Sequence, residues 1–358
     1  PQVRLVVGSD GIIHAPEAFV RLLEDKGLHL NYLEFTAEYP DRDPCLDKNE
    51  GAGVTPVAFV NIMQGCDNFC AYCIVPFTRG PRKSRSSTAI LEECKSWLAQ
   101  GAGDITLLGQ NVNVYGCDDG GDGTSFPELL RKVAALPGLK RLRFVTPHPR
   151  DFSEEMVQLF GELPQLCPRL HLPLQSGSDS VLARMGRGYD MARYLDLVSR
   201  LRKTRPDIAL STDLIVGFPG ETEEEFRDTL HAVEAADFMS SFSFCYSDRP
   251  GTRASAMPFK VPREEQLERL ERLQNLQNEK STAWLVGRVG MNSDVLLEGR
   301  SRREAEESSD GRETWQGHDP WGDTVNLTLP AGVGRPGLLV PVHFIAAKKH
   351  SLMAEATA

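Results

Sequence analysis

Between residues 57 and 246 one pattern recurs, and it limits the chain to few folds. Short apolar, β-branched-rich runs at 57–63, 104–109, 141–145, 169–173, 208–217 and 240–246 are separated by helix-length segments whose apolar residues fall three and four apart. Strands alternating with helices are joined by crossovers rather than hairpins, so the pattern predicts a parallel α/β sheet. A curved partial barrel and an open sheet fit it equally, and the pattern alone does not choose. The segment 87–101 opens on Ser and Thr and stops at Gly, and Thr222 followed by Glu225 makes a capping box for a helix over 221–237.

The flanks differ. Residues 1–50 hold an apolar run, an amphipathic stretch over 17–26 and a Pro- and Asp-rich segment over 39–53 that reads as a linker. Residues 263–285 place Leu267, Leu270, Leu273 and Leu276 at helical spacing, which predicts a long helix packed outside the sheet. Beyond it, short strand candidates beginning at Asp294, Thr324 and Gly337 suggest a small β-barrel. Of 358 residues, 41 % are apolar and 25 % charged, which excludes global disorder. The longest apolar stretch, 337–347, is too short for the roughly 20 residues of a membrane span, and no secretory signal opens the chain. The start at Pro1 rather than Met suggests a piece of something longer.

Eight cysteines in a chain this long are too sparse for a disulfide scaffold and point to a reducing, cytoplasmic setting. Three of them, Cys66, Cys70 and Cys73, crowd into a Cys-x3-Cys-x2-Cys run just after the first strand. A compact loop of this spacing can turn three thiolates to one centre. Three thiolates on a four-iron cluster leave one iron open for a cofactor. Zinc usually takes four ligands, and neither a second Cys pair nor a His stands near. Cys94, Cys117, Cys167 and Cys245 read as ordinary thiols.

With Tyr72 in the aromatic slot before the last Cys, the run resembles the hallmark of the radical S-adenosylmethionine superfamily. The resemblance implies a partial (β/α)6 barrel whose Cys66, Cys70 and Cys73 hold a [4Fe–4S] cluster. The open iron would chelate S-adenosylmethionine, whose reductive cleavage yields a 5′-deoxyadenosyl radical. Polar runs after three successive strands, 109–116, 172–177 and 213–221, lie on the face where such barrels build their sites. They make Tyr72, Gly109, Gln110, Asn111, Gln175, Ser176, Asp213 and Gly217 candidate cofactor contacts, although each turn alone also reads as an ordinary turn. His148 ends a strand on the same face, and a plain turn explains it equally well.

The segments 59–86, 106–116, 171–179 and 210–222 look like the methylthiotransferases, which insert CH3–S into an unactivated C–H bond. The run 108–113 resembles the branch acting on N6-isopentenyladenosine next to the anticodon of tRNA; the alternatives are the threonylcarbamoyl-adenosine and ribosomal-protein aspartate branches, or a non-catalytic cluster-bearing RNA-binding fragment. The match covers about residues 3 to 350 and implies three parts. Residues 1–50 would be the tail of an N-terminal domain with its linker, 52–284 the radical core and 287–350 an RNA-binding TRAM barrel. It further implies a tRNA partner, a flavodoxin-type reductant, no membrane, and a second cluster in the N-terminal domain. Cys45 matches none of that cluster's ligands, so this chain is expected to cleave the cofactor without transferring sulfur.

Arg79, Arg82, Lys83 and Arg85 put four cations directly after the cysteine loop, as an RNA-phosphate clamp or as a solvated basic loop. The barrel carries no basic excess, and only Arg300, Arg302 and Arg303 with Lys348 and Lys349 could form a local patch.

Overall fold

The computed structural model describes residues 2–39, 55–118, 120–301 and 311–357. Most of the expected linker, including Cys45, and the cations Arg302 and Arg303 lie outside the described residues. All six expected core strands form: Val57–Asn61, Asp104–Leu108, Arg141–Phe144, Arg169–His171, Ala209–Val216 and Ser240–Cys245. They run parallel in chain order as two groups of three, and a bridge from Leu142 to Leu166 links the groups.

Period-two alternation sorts their side chains. Ala58, Val60 and Ile62 are buried against the helical layer, while Val57 and Phe59 face the other way. That inner face encloses a lumen of about 530 Å3 lined from all six strands, by Phe59, Thr106, Arg143, His171, Ser211 and Phe242 among others. First and last strands facing one space means the sheet curves into a partial barrel. The helices start on caps: Ser125, Ser153 and Asp190 each accept an N–H from the first turn, and Thr222 with Glu225 forms the expected capping box.

Upstream, the parallel strands Leu5–Val7 and Leu30–Tyr32 flank the helix Ala15–Glu24. Among the described residues, a buried ion pair fastens this unit to the core. The Asp10 carboxylate accepts from Lys83 Nζ, from the Thr36 N–H at 2.7 Å and from the Gln64 amide.

Downstream, the expected long helix forms over Arg263–Arg288 and packs beside the last core strand. Leu273 is buried and Leu270 and Leu276 pack against the core, while Leu267 is 47 % exposed; Gln266, Arg269 and Gln277 are buried as well. These polar residues answer the core backbone: Gln266 Nε2 donates to Gly217 O, Arg269 to Glu221 O and its carboxylate, and Gln277 Nε2 to Phe238 O. A closed five-stranded barrel follows, in the order Asn292–Arg300, Arg312–His318, Thr324–Pro330, Leu352–Ala356, Leu339–Ala347. Its last strand lies past position 350, where the sequence reading ended the domain.

The barrel sits under the N-terminal ends of the core strands. Arg141 donates to His318 O and Asp294 O, each at 2.7 Å, Arg143 to Asp319 O, and Arg169 to Trp321 O and Gly322 O. Three strand-borne guanidiniums thus satisfy carbonyls of the small barrel's strands and of the loop after His318.

Candidate metal centre and cofactor cavity

The cysteine loop is pinned at both ends and in the middle. Met63–Gln64 pairs antiparallel with Lys83–Ser84, closing a ribbon at its base. Gly65 turns the chain at φ +81°, where a Cβ would stand 2.0 Å from Pro81 O, so only glycine fits. Cys66 N–H donates to Gly80 O, Ala71 N–H to Met185 O at 2.7 Å, and Cys73 N–H to Cys70 O.

The three cysteines share one wall of a cavity of about 300 Å3 at the C-terminal ends of the core strands. Among the described residues no three Cys, His, Asp or Glu side chains converge on one metal ion. A cluster takes one thiolate on each of three irons and needs no such convergence. Burial, with repulsion from its neighbours Cys70 and Cys73, pushes the Cys66 thiol up to about 11, and burial raises Cys73 as well. Such thiols release their protons only to a metal that replaces the lost charge, which suits a ligand set and disfavours free nucleophiles.

The other walls come from successive βα turns. Tyr72, Gly109, Gln110, Gln175 and Asp213 line the cavity. Gln110 Oε1 accepts the Gly65 N–H at 2.7 Å, bracing the loop base. Gln175 at φ +78° and Thr146 at φ +62°, both on the wall, hold backbone conformations that non-glycine residues rarely adopt. Asp213 reaches His171 Nε2 at 3.4 Å on the lumen side.

Three expected contacts lie behind the wall instead. Asn111 donates to Asp151 at 2.9 Å, Ser176 turns to Thr229, and the Gly217 N–H is taken by Glu221 at 2.6 Å. Asn111 and Ser176 are buried next to the wall residues Gln110 and Gln175, and Gly217 is buried just past the end of the fifth core strand.

The basic run after the loop also divides. Lys83 is 3 % exposed and paired with Asp10, and Arg85 is 4 % exposed and paired with Glu93, so neither reaches RNA phosphates and that expectation is corrected. Their partners lie far upstream and on the following helix, and a buried cation must be paired. Arg79 is exposed; Arg82 is half-buried, with Asp67 3.2 Å away. In the barrel, Arg300 pairs with Glu313, while Lys348 and Lys349 are exposed.

Two wall residues stand out beyond the expected set. His148 Nδ1 accepts the Arg150 N–H at 3.3 Å, which leaves the hydrogen on Nε2, and that atom is buried without a partner. Burial and the nearby Arg187 charge push this imidazole down to about 3, so it is neutral. Arg187 itself extends from a Gly-Arg-Gly turn, with Gly186 and Gly188 at φ +73° and +72°, to the cysteine loop. The paired glycines are its only local signal. An orphaned donor, strained wall residues and three thiols on one cavity fit a cluster with an organic ligand beside it.

Comparison with known proteins agrees with this geometry. Residues 60–233 match the Radical SAM superfamily. The chain is 59 % identical over 356 residues to a tRNA-2-methylthio-N(6)-dimethylallyladenosine synthase of Nitratidesulfovibrio vulgaris, covering 99 % of this chain and 78 % of that one. It belongs to the tRNA-2-methylthio-N(6)-dimethylallyladenosine synthase family. A synthase of this family from Lawsonia intracellularis is 54 % identical over 362 residues, with the same coverage. The family's Streptomyces griseus member is 40 % identical over 358 residues, covering all of this chain and 69 % of that one. The cofactors of such a radical enzyme are a [4Fe–4S] cluster and S-adenosylmethionine, and the cysteine cavity fits both. Among the described residues no helix is long and apolar enough to cross a membrane.

Proposed function

We propose that this chain carries the radical centre of a tRNA methylthiotransferase acting at C2 of N6-isopentenyladenosine beside the anticodon. The observation that carries the reading is the shared wall of Cys66, Cys70 and Cys73 with Gln110, Gln175 and Asp213, in a chain 59 % identical to a synthase of that name. When bound, the cluster and S-adenosylmethionine supply a radical able to abstract hydrogen from carbon.

The chain's own residues hold and shield that chemistry. The thiolates of Cys66, Cys70 and Cys73 ligate iron from a loop whose ends are locked by backbone bonds. Gly109 lets its turn pack directly on the ribbon base, since a Cβ there would stand 2.6 Å from Met63 Cγ. Gln110, Gln175 and Asp213 offer amide and carboxylate groups to the amino-acid part of the cofactor. His148, neutral, offers its free Nε2–H. Arg79 and Arg82 are the cations of the basic run left to meet the anticodon loop, and the barrel following residue 287 is the RNA-binding module. Residues 52–284 are the radical core, and a flavodoxin-type protein is the reductant.

The test is product analysis. Anaerobically reconstituted protein, given S-adenosylmethionine and strong reductant, should release 5′-deoxyadenosine. Release should rise with tRNA carrying isopentenyladenosine but not with tRNA lacking the prenyl group. Equal stimulation by both RNAs, or by a ribosomal protein alone, would overturn the substrate assignment.

A further inference from the structure

The lumen of the core has two unlike ends. At one, it adjoins the cysteine cavity: Asp213 lies on the cavity wall, and His171, 3.4 Å away, lines the lumen. Phe242 pairs in register with Asp213 and meets the His171 ring edge-on, with centroids 5.9 Å apart. His171 is held in turn by the Ser211 hydroxyl at 3.1 Å. Phe59, in register with Thr106, stands on the first core strand, whose outer edge is unpaired among the described residues like that of the last. Both rings line the lumen, yet each is more than half exposed. Wet aromatic faces inside a cavity mark a binding surface rather than a packed core. The far end is charged. Asp104 pairs with Arg143 at 3.0 Å, and Glu298 of the small barrel with His318 at 2.6 Å. Arg143 also donates to Asp319 O, and Arg169 to Trp321 O and Gly322 O, so both lumen guanidiniums already have acceptors.

We propose that Phe242 and Phe59 are specificity-determining residues, selecting a nucleobase whose exocyclic nitrogen carries a neutral, branched apolar group. The inference rests on the reading that C2 of an adenosine meets the cysteine cavity, and it names what recognises the substituent. Adenosine points outward in three directions: at C2, at N6 on the other side of N1, and at N9 through the ribose. With C2 toward the cysteine cavity and the ribose toward the unpaired strand edges, N6 is left to point into the lumen between the two rings. A prenyl group there covers aromatic surface that is otherwise wet, and each carbon covered adds to the affinity. A carboxylate-bearing substituent such as threonylcarbamoyl gains less from the rings. It also meets the carboxylates of Asp104 and Glu298, with both guanidiniums of the lumen already engaged. An unmodified adenine leaves the rings wet.

The experiment measures binding of synthetic anticodon stem-loops to the anaerobically reconstituted full chain. The stem-loops are identical except for adenosine, N6-isopentenyladenosine or N6-threonylcarbamoyladenosine beside the anticodon. Wild type should bind the prenylated stem-loop about tenfold more tightly than either of the others. Phe242→Ala and Phe59→Ala should each cut that ratio to about threefold or less, with affinity for the unmodified stem-loop within about twofold of wild type. Phe242→Leu, which keeps apolar bulk, should retain most of the preference. Phe19→Ala removes an exposed ring on the N-terminal helix and should retain all of it. Stimulation of 5′-deoxyadenosine release by the prenylated stem-loop should fall in the same order. A preference that survives in both alanine variants would overturn the proposal and leave the substrate reading intact. Equal loss of affinity for all the stem-loops in a folded Phe242→Ala would overturn it too, since the ring would then hold RNA without reading the base. Should Phe242→Ala fail to fold, Phe59→Ala decides by the same ratio. A wild type that prefers another stem-loop, or none, would instead refute the substrate reading on which the proposal stands.

Discussion

Lys83 stands in a run of cations that reads as surface, yet it closes a buried pair with Asp10, seventy-three positions upstream. Burial pushes the Asp10 carboxyl up, but the Lys83 ammonium, the Thr36 N–H and the Gln64 amide together hold it below its ordinary value. Replacing Lys83 by Met strands that carboxylate and should cost about 3–5 kcal/mol, read from urea unfolding. Because the folded carboxyl is the stronger acid, its contribution is complete above the unfolded pKa of roughly 4 and fades as pH falls through the folded value. Iron content sorts the thiols. Cys66→Ala, Cys70→Ala or Cys73→Ala should abolish stable incorporation of about four irons per chain. Cys94→Ala, buried in the helical layer, should keep the full iron content and lose only packing. The triad was legible because its members lie within eight residues. The Lys83 role was not, since it depends on a group that only the folded chain brings near.

At the level of elements, the six strands and the capping box were legible because period, caps and glycine stops agree locally. The long helix was legible too, for Leu270, Leu273 and Leu276 meet the core. What leucine spacing did not reveal is that the same face must satisfy the Gly217 and Phe238 carbonyls, so Gln266 and Gln277 turn inward beside them. Two barrel strands escaped notice: Arg312–His318 alternates with too little apolar content, and Leu352–Ala356 is short and alanine-rich. The cap of the helix Glu223–Ala236 offers a test. Burial pushes Glu225 up, but Arg184, the Ser180 hydroxyl and the Thr222 N–H hold it down to about 2. Glu225→Gln should therefore cost about 1–2 kcal/mol at pH 7. Wild type loses this advantage as pH drops from the unfolded value near 4.3 toward 2, so urea midpoints of the two proteins should converge from pH 5 downward.

On the scale of the whole molecule, the partial barrel is closed below by the small barrel through Arg141, Arg143 and Arg169. Gly322 is part of that seam: its φ is +78°, and a Cβ there would lie 2.0 Å from Arg169 Nη1. Gly322→Ala, and Arg169→Met, should each loosen the small barrel by about 1–3 kcal/mol. Calorimetry should then resolve its melting from that of the core where wild type shows one transition. Laterally, the six strands do not close into a ring. Among the described residues the first and last core strands pair with no strand on their outer edges, and Phe59 and Phe242 stand there 61 % and 58 % exposed. A fully wound barrel admits only what passes its mouth. A wall with a gap offers what a closed ring does not, room for a single residue still joined on both sides to a polymer far too large to enter, with two exposed aromatic rings at its edges.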